Sequence, residues 1–116
     1  MFPYENLEVY KKAFEFNQKL YGLTKQNNKF ASYINTQLGR AAFSIMLNIA
    51  EGSAKYSNKD RRNYFITARG SVFECCSIII FLHEEGEIPK ELKNNLYSSL
   101  EEISRILFVM IRNLSN

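Results

Sequence analysis

The chain has 116 residues and a mass of 13.5 kDa, the size of one ordinary domain. Apolar residues make up 46% and charged residues 23%, and there are only five glycines, two prolines and two cysteines, which excludes disorder, a collagen, a linker and a disulfide scaffold. No apolar run approaches the roughly 18 residues of a membrane span, and MFPYENLEVYKK lacks the basic start and apolar core of a secretion signal. A cytoplasmic protein with no membrane partner is expected.

The net charge of +3 is unevenly spread. Residues 1–73 carry 11 Lys and Arg against 5 Asp and Glu, whereas residues 74–116 carry 4 against 7. A basic front half suggests an anionic partner such as RNA or DNA. The alternative is that a basic helix pair simply attracts an acidic one.

Four segments show helical spacing of apolar residues, and none shows sustained strand alternation. The first is expected from about Asn6 to Gln26, with Tyr10, Ala13, Phe14, Leu20, Tyr21 and Thr24 on its inner face. Asn27 and Asn28 then favour a turn. The second should start with Ser32 as N-cap and end near Ala54. Ser57, with Asp60 three residues on, suggests a capping box for the third, which runs to about Glu85 with Gly86 as its C′ residue. Pro89 suits the first turn of the fourth, whose seam is Leu92, Leu96, Leu100, Ile103, Leu107, Met110 and Leu114. Long helices with short connections favour antiparallel neighbours. The fold expected over residues 1–116 is a single all-α domain, an antiparallel up-down-up-down four-helix bundle.

The second and third helices carry more apolar surface than such a bundle needs. On the second, Gly39, Phe43, Met46, Leu47 and Ala50 extend the inner arc of Ile34, Leu38, Ala42, Ile45 and Ile49. On the third, Tyr64, Ala68, Val72, Cys75, Ile79 and Leu82 form the inner face, and Ile66, Phe73 and Ile80 form a second row. Burial in a homo-oligomer, with Phe43, Phe73 and Ile80 at the interface, accounts for the excess.

Gln37, Arg40, Ser44, Asn48 and Glu51 line up as one polar stripe on the second helix. The stripe, with Glu74, is open to a reading as a ligand or catalytic site. The reading preferred is a structural polar network of Arg40, Ser44, Asn48, Glu51, Ser71 and Glu74, in which Arg40 pairs with Glu51 or Glu74.

Catalytic chemistry is not evident. His83 is the only histidine, Cys75 and Cys76 are adjacent and point about 100° apart, and there is no Gly-rich phosphate loop or nucleophile elbow. No catalytic residues, no metal, no cofactor and no enzymatic activity are expected. What remains is KYSNKDRRNYF, which sets Lys55, Lys59, Arg61 and Arg62 beside Tyr56 and Tyr64, together with Lys11 and Lys12 on the first helix. Such cations contact phosphates, and tyrosine stacks on unpaired bases.

The segments LEVYKKA at residues 7–13, SIMLNIAEGS at 44–53 and ARGSVFE at 68–74 resemble the bacterial four-helix bundle family encoded within 23S ribosomal RNA intervening sequences. The likeness spans Leu7 to about Leu114. Met46 stands where the family usually has proline, which weakens any kink there, and Cys75 and Cys76 stand where a leucine or polar residue is common. The resemblance implies a small bundle that assembles into a ring, a pentamer, and acts as a nucleic-acid- or protein-binding adaptor. The accessory proteins of diversity-generating retroelements look similar. By that likeness the partners are RNA or DNA and a protein such as a reverse transcriptase.

Overall fold

The structure, a computed structural model, describes residues 1–27 and 30–115. A 3-10 turn over Pro3–Asn6 leads into α1 (Glu8–Asn27), α2 (Ser32–Ser53), α3 (Asn58–Glu84) and α4 (Lys90–Asn113), with no strand among the described residues. Each helix packs on its neighbours in chain order and α4 closes back on α1, while the backbones of the diagonal pairs stay apart. This is the expected four-helix bundle, 44 Å long and 27 by 22 Å across. The α1–α4 seam is the least extensive of the four and the α2–α3 seam the most. The turn expected at Asn28 lies outside the described residues.

The caps follow local chemistry. Ser57 Oγ accepts from the Asp60 N–H at 3.0 Å, as expected, while the return bond from the short Asp60 carboxylate is absent among the described residues. Gly86 takes φ of +76°, its N–H donates to the His83 carbonyl and that of Glu87 to the Leu82 carbonyl, a Schellman stop for α3. Two expectations shift by one residue. Ala31, extended and without a side-chain bond, is the N-cap of α2, so Ser32 is the first helical residue. Pro89 is the N-cap of α4, where its carbonyl accepts from the Lys93 N–H, and Lys90 opens the helix.

The core is a continuous cluster built from Leu38, Ile45 and Ile49 of α2, Val72, Cys75, Ile79 and Leu82 of α3, and Leu96, Leu100, Ile103 and Leu107 of α4. Helix α1 corrects the sequence reading. Its buried face is Val9, Ala13, Phe16 and Leu20, whereas Phe14 and Tyr21 are exposed. Asn17 is buried on that inner side because its Nδ2 has two acceptors, the Ala13 carbonyl at 2.9 Å and the Ala42 carbonyl of α2 at 2.8 Å.

By length and composition alone helix α3 contains an 18-residue stretch apolar enough to cross a membrane, a test that the core helix of a bundle passes as well. In the bundle one set of its apolar residues fills the core, and Arg69 and Glu74 reach neighbouring helices.

Candidate functional site

The basic tip joins α2 to α3. Gly52, the last buried residue of α2, lets the chain turn tightly, since a Cβ there would lie 2.9 Å from both Phe65 Cε1 and Tyr64 Cβ. Past it, Lys55 Nζ sits 5.0 Å from the centroid of the Tyr64 ring. Tyr56 stands almost free, 98% exposed, and Lys59, the second residue of α3, is exposed.

The arginines of the tip are occupied differently from the sequence reading. Arg61 Nε donates to the Lys55 carbonyl at 2.6 Å, and Arg62 Nη1 donates to Ser115 Oγ at 3.2 Å. Both side chains are half-buried, and Arg62 Nε is buried with no partner. They fasten the turn and the end of α4, so Tyr56 and Lys59 form the exposed part, with Lys55 half-buried beside them over the Tyr64 ring.

On α1, Lys11 is exposed, but Lys12 is a correction. Its Nζ lies 2.6 Å from Glu102 of α4, because the α1–α4 seam runs beneath it. The hydrogen bond to Glu102 is the main reason the Lys12 pKa is raised, and the same bond holds the Glu102 carboxyl below its usual range. This is the only ion pair among the described residues, and it joins the basic front half of the chain to the acidic back half.

The polar stripe divides into two parts. The Ser71 hydroxyl donates to Ser44 Oγ at 2.8 Å across α2 and α3, and Asn48 Nδ2 donates to the Ser44 carbonyl at 2.8 Å and to its Oγ at 3.0 Å. One and two turns away, the Gln37 amide donates to the Glu74 carboxylate. Arg40 and Glu51 stay exposed and take no part. Eleven residues separate them along one helix, about 16 Å at 1.5 Å per residue, which is too far to pair. Gln37 has taken the Glu74 carboxylate that Arg40 was expected to reach.

Phe43, Phe73 and Ile80 do not share a face. Phe43, 55% exposed, lines the groove between α1 and α2 with Tyr21, and Phe14 is also exposed on α1. Phe73, 58% exposed, and Ile80 line the groove between α3 and α4. There the Arg69 guanidinium sits 5.0 Å from the Phe73 ring centre and 5.3 Å from that of Phe108, and Arg69 Nε donates to Ser104 Oγ at 3.1 Å. In a bundle packed in chain order these grooves lie on opposite sides. The sequence reading missed Arg69 and Phe108, and it missed Phe14 and Tyr21 as surface residues because it had placed them in the core. The spacing of Arg69 and Phe73, one turn apart, is the signal that was available.

Reactive side chains are muted. Burial, then the neighbouring Cys76 and Glu74, pushes the Cys75 thiol up to about 12, so it stays protonated at neutral pH. Among the described residues no three His, Cys, Asp or Glu side chains gather as a metal site.

The fold is similar to the crystal structure of a protein with unknown function from the S23 ribosomal protein family of Bacteroides thetaiotaomicron VPI-5482. The two share 23% identity and a TM-score of 0.81 over 89% of this chain and 97% of that one. No curated protein matches the chain in sequence. The 23S rRNA-intervening sequence protein family matches residues 5–109, which take in all of α1, α2 and α3 and most of α4, and the chain belongs to that family.

Proposed function

We propose that this protein is a non-enzymatic adaptor that assembles with copies of itself and binds RNA or DNA through the tips joining α2 to α3. The observation that carries the reading is Tyr56, 98% exposed between Lys55 and Lys59. A bare tyrosine ring beside two cations offers a stacking surface and phosphate contacts at one point, and neither needs a particular base sequence.

Assembly is the second half of the proposal. Two unlike apolar faces on opposite sides of one subunit suit a head-to-tail contact, the α1–α2 face of one copy against the α3–α4 face of the next. Contacts of that kind close into a ring when the rotation from one copy to the next closes, and run on as a filament when it does not; the family likeness favours a ring of five copies. A ring repeats the tip in every subunit, so modest local affinity gains avidity. The family name refers to intervening sequences in 23S rRNA, which supports RNA as the nucleic acid. The likeness to accessory proteins of diversity-generating retroelements supports a reverse transcriptase as a protein partner.

A second reading is a protein scaffold without nucleic-acid binding. The exposed Phe43, Phe73 and Phe108 favour it, since apolar patches mark protein contacts as readily as self-assembly. A fluorescence titration with structured RNA and duplex DNA at two salt concentrations separates the readings. Salt-sensitive binding that weakens in a Lys55→Ala, Tyr56→Ala, Lys59→Ala triple variant is expected. No binding at low salt leaves the scaffold.

A further inference from the structure

The core does not fill the end of the bundle at which α1 and α3 finish. An apolar cavity of about 200 Å³ remains there, with Leu38, Ile79, Leu82 and Leu96 in its walls, each almost wholly buried. Among the described residues only two lining residues carry polar side-chain groups, Thr24 and Glu87, and both are half-buried. Apolar cavities of about 150 Å³ in other proteins stay dry and take up benzene or xenon. This one is large enough for a single ring or a short branched chain.

The two polar groups restrict the chemistry of an occupant. Thr24 Oγ1 already gives its proton to the Tyr21 carbonyl at 3.3 Å, which leaves it as an acceptor. An ionised Glu87 carboxylate is an acceptor only. Both groups therefore ask for a donor, and the walls ask for an uncharged apolar body. We infer that this cavity is a binding site for a small apolar molecule with one N–H or O–H donor, of the phenol or indole class. Bundle ligands commonly sit between helices in such a setting, with an apolar lining and a few polar groups that fix orientation. The site is independent of the basic tip, which lies at the opposite end of α3.

The experiment titrates the full chain with phenol, indole and toluene and reads both the thermal midpoint and two-dimensional NMR. A ligand that binds only the folded state raises the midpoint in proportion to the logarithm of its concentration once the site is saturated. The expected result is a rise with all three, with phenol and indole tighter than toluene, and methyl shifts centred on Ile79 and Leu96. Glu87→Leu removes an acceptor and should erase most of the preference for phenol while leaving toluene binding unchanged. Leu92→Trp, at the half-buried edge of the cavity, should fill it and abolish binding of all three with helicity retained. If Leu92→Trp does not fold, the location is read in the wild type from methyl shifts under xenon pressure. Absence of any shift in the wild type near the solubility limit of the probes overturns the inference. So do shifts that spare Ile79 and Leu96, or an unchanged phenol preference in Glu87→Leu.

Discussion

The hydroxyls of Ser44 and Ser71 meet at 2.8 Å across the seam between α2 and α3, and Ser71 is the donor. Ser44 also accepts from Asn48, so its oxygen serves two donors at once. Small side chains at this crossing let the two helices approach closely enough for hydroxyl-to-hydroxyl contact. The bond joins the two central helices at this level of their seam.

That shared acceptor makes Ser44 the critical member. Ser44→Ala leaves the Ser71 hydroxyl and one bond of Asn48 without their partner and should cost about 1–2 kcal/mol. Asn48→Ala removes a half-buried donor and leaves less behind, so about 0.5–1.5 kcal/mol is expected. A double-mutant cycle on Ser44 and Ser71 in urea should show coupling, and additive losses would mean the contact is not formed in solution.

Gly52→Ala should destabilise the fold by about 1–3 kcal/mol, because the new methyl meets Tyr64 Cβ as well as the Phe65 ring and the backbone must give way. Gly39→Ala and Gly70→Ala have nothing within 4 Å of the added carbon inside the chain. On helix propensity alone each should stabilise an isolated subunit by up to about 1 kcal/mol. Chemical denaturation of the three variants checks the contrast.

Head-to-tail assembly has a mixing test. Phe43→Asp spoils the α1–α2 face and Phe73→Asp spoils the α3–α4 face, each by placing a charge in a dry contact. Each variant alone should be monomeric by ultracentrifugation. Mixed in equal amounts they retain one sound pair of faces and should give a one-to-one dimer and nothing larger. A monomeric wild type, or a mixture that stays monomeric, rejects the arrangement.

The Cys75 thiol sets an alkaline limit. Its pKa of about 12 lies above the ordinary value of 9.0, so the folded protein holds this proton more tightly than the unfolded chain. The resulting stability is fully present below pH 9.0 and is lost as pH rises from there toward the folded value. Over that range stability should fall by about 1.4 kcal/mol per pH unit from this group. Cys75→Ala should be weaker at neutral pH but should lose this part of the slope, which thermal melts from pH 7 to 11 reveal.

Much of the fold was legible because the inner rows of α2, α3 and α4 repeat at steps of three and four and end signals stand at Ser57, Gly86 and Pro89, even though α2 and α3 carry further apolar residues outside those rows. Helix α1 was misread for a physical reason. It carries two apolar rows of similar spacing, Val9, Ala13, Phe16 and Leu20 against Tyr10, Phe14 and Tyr21. Aromatic bulk made the second row look like the core, while the first includes Asn17 beside it, whose burial depends on a carbonyl from another helix. The tip was legible as a basic cluster, but which of its cations are free was not. Arg61 and Arg62 are tied up by the Lys55 carbonyl and by Ser115, partners that only the folded chain brings near. Likewise, Arg40 and Glu51 share a stripe in a helical projection that does not show the distance along the axis.

Asn17 ties α1 to α2 through the Ala42 carbonyl, whereas the thin seam to α4 relies on the exposed pairs Lys12–Glu102 and Lys19–Asn95. Helix α1 joins the core through Val9, Ala13, Phe16 and Leu20, and of its two seams the one to α4 is the less extensive. In amide exchange, protons of α1 should open at lower free energy than those of α3, and the opening should uncover the Leu100 and Ile103 side of α4 first. An α1 that opened first would leave the α2–α3 seam, the most extensive of the four, as the last part of the bundle to come apart.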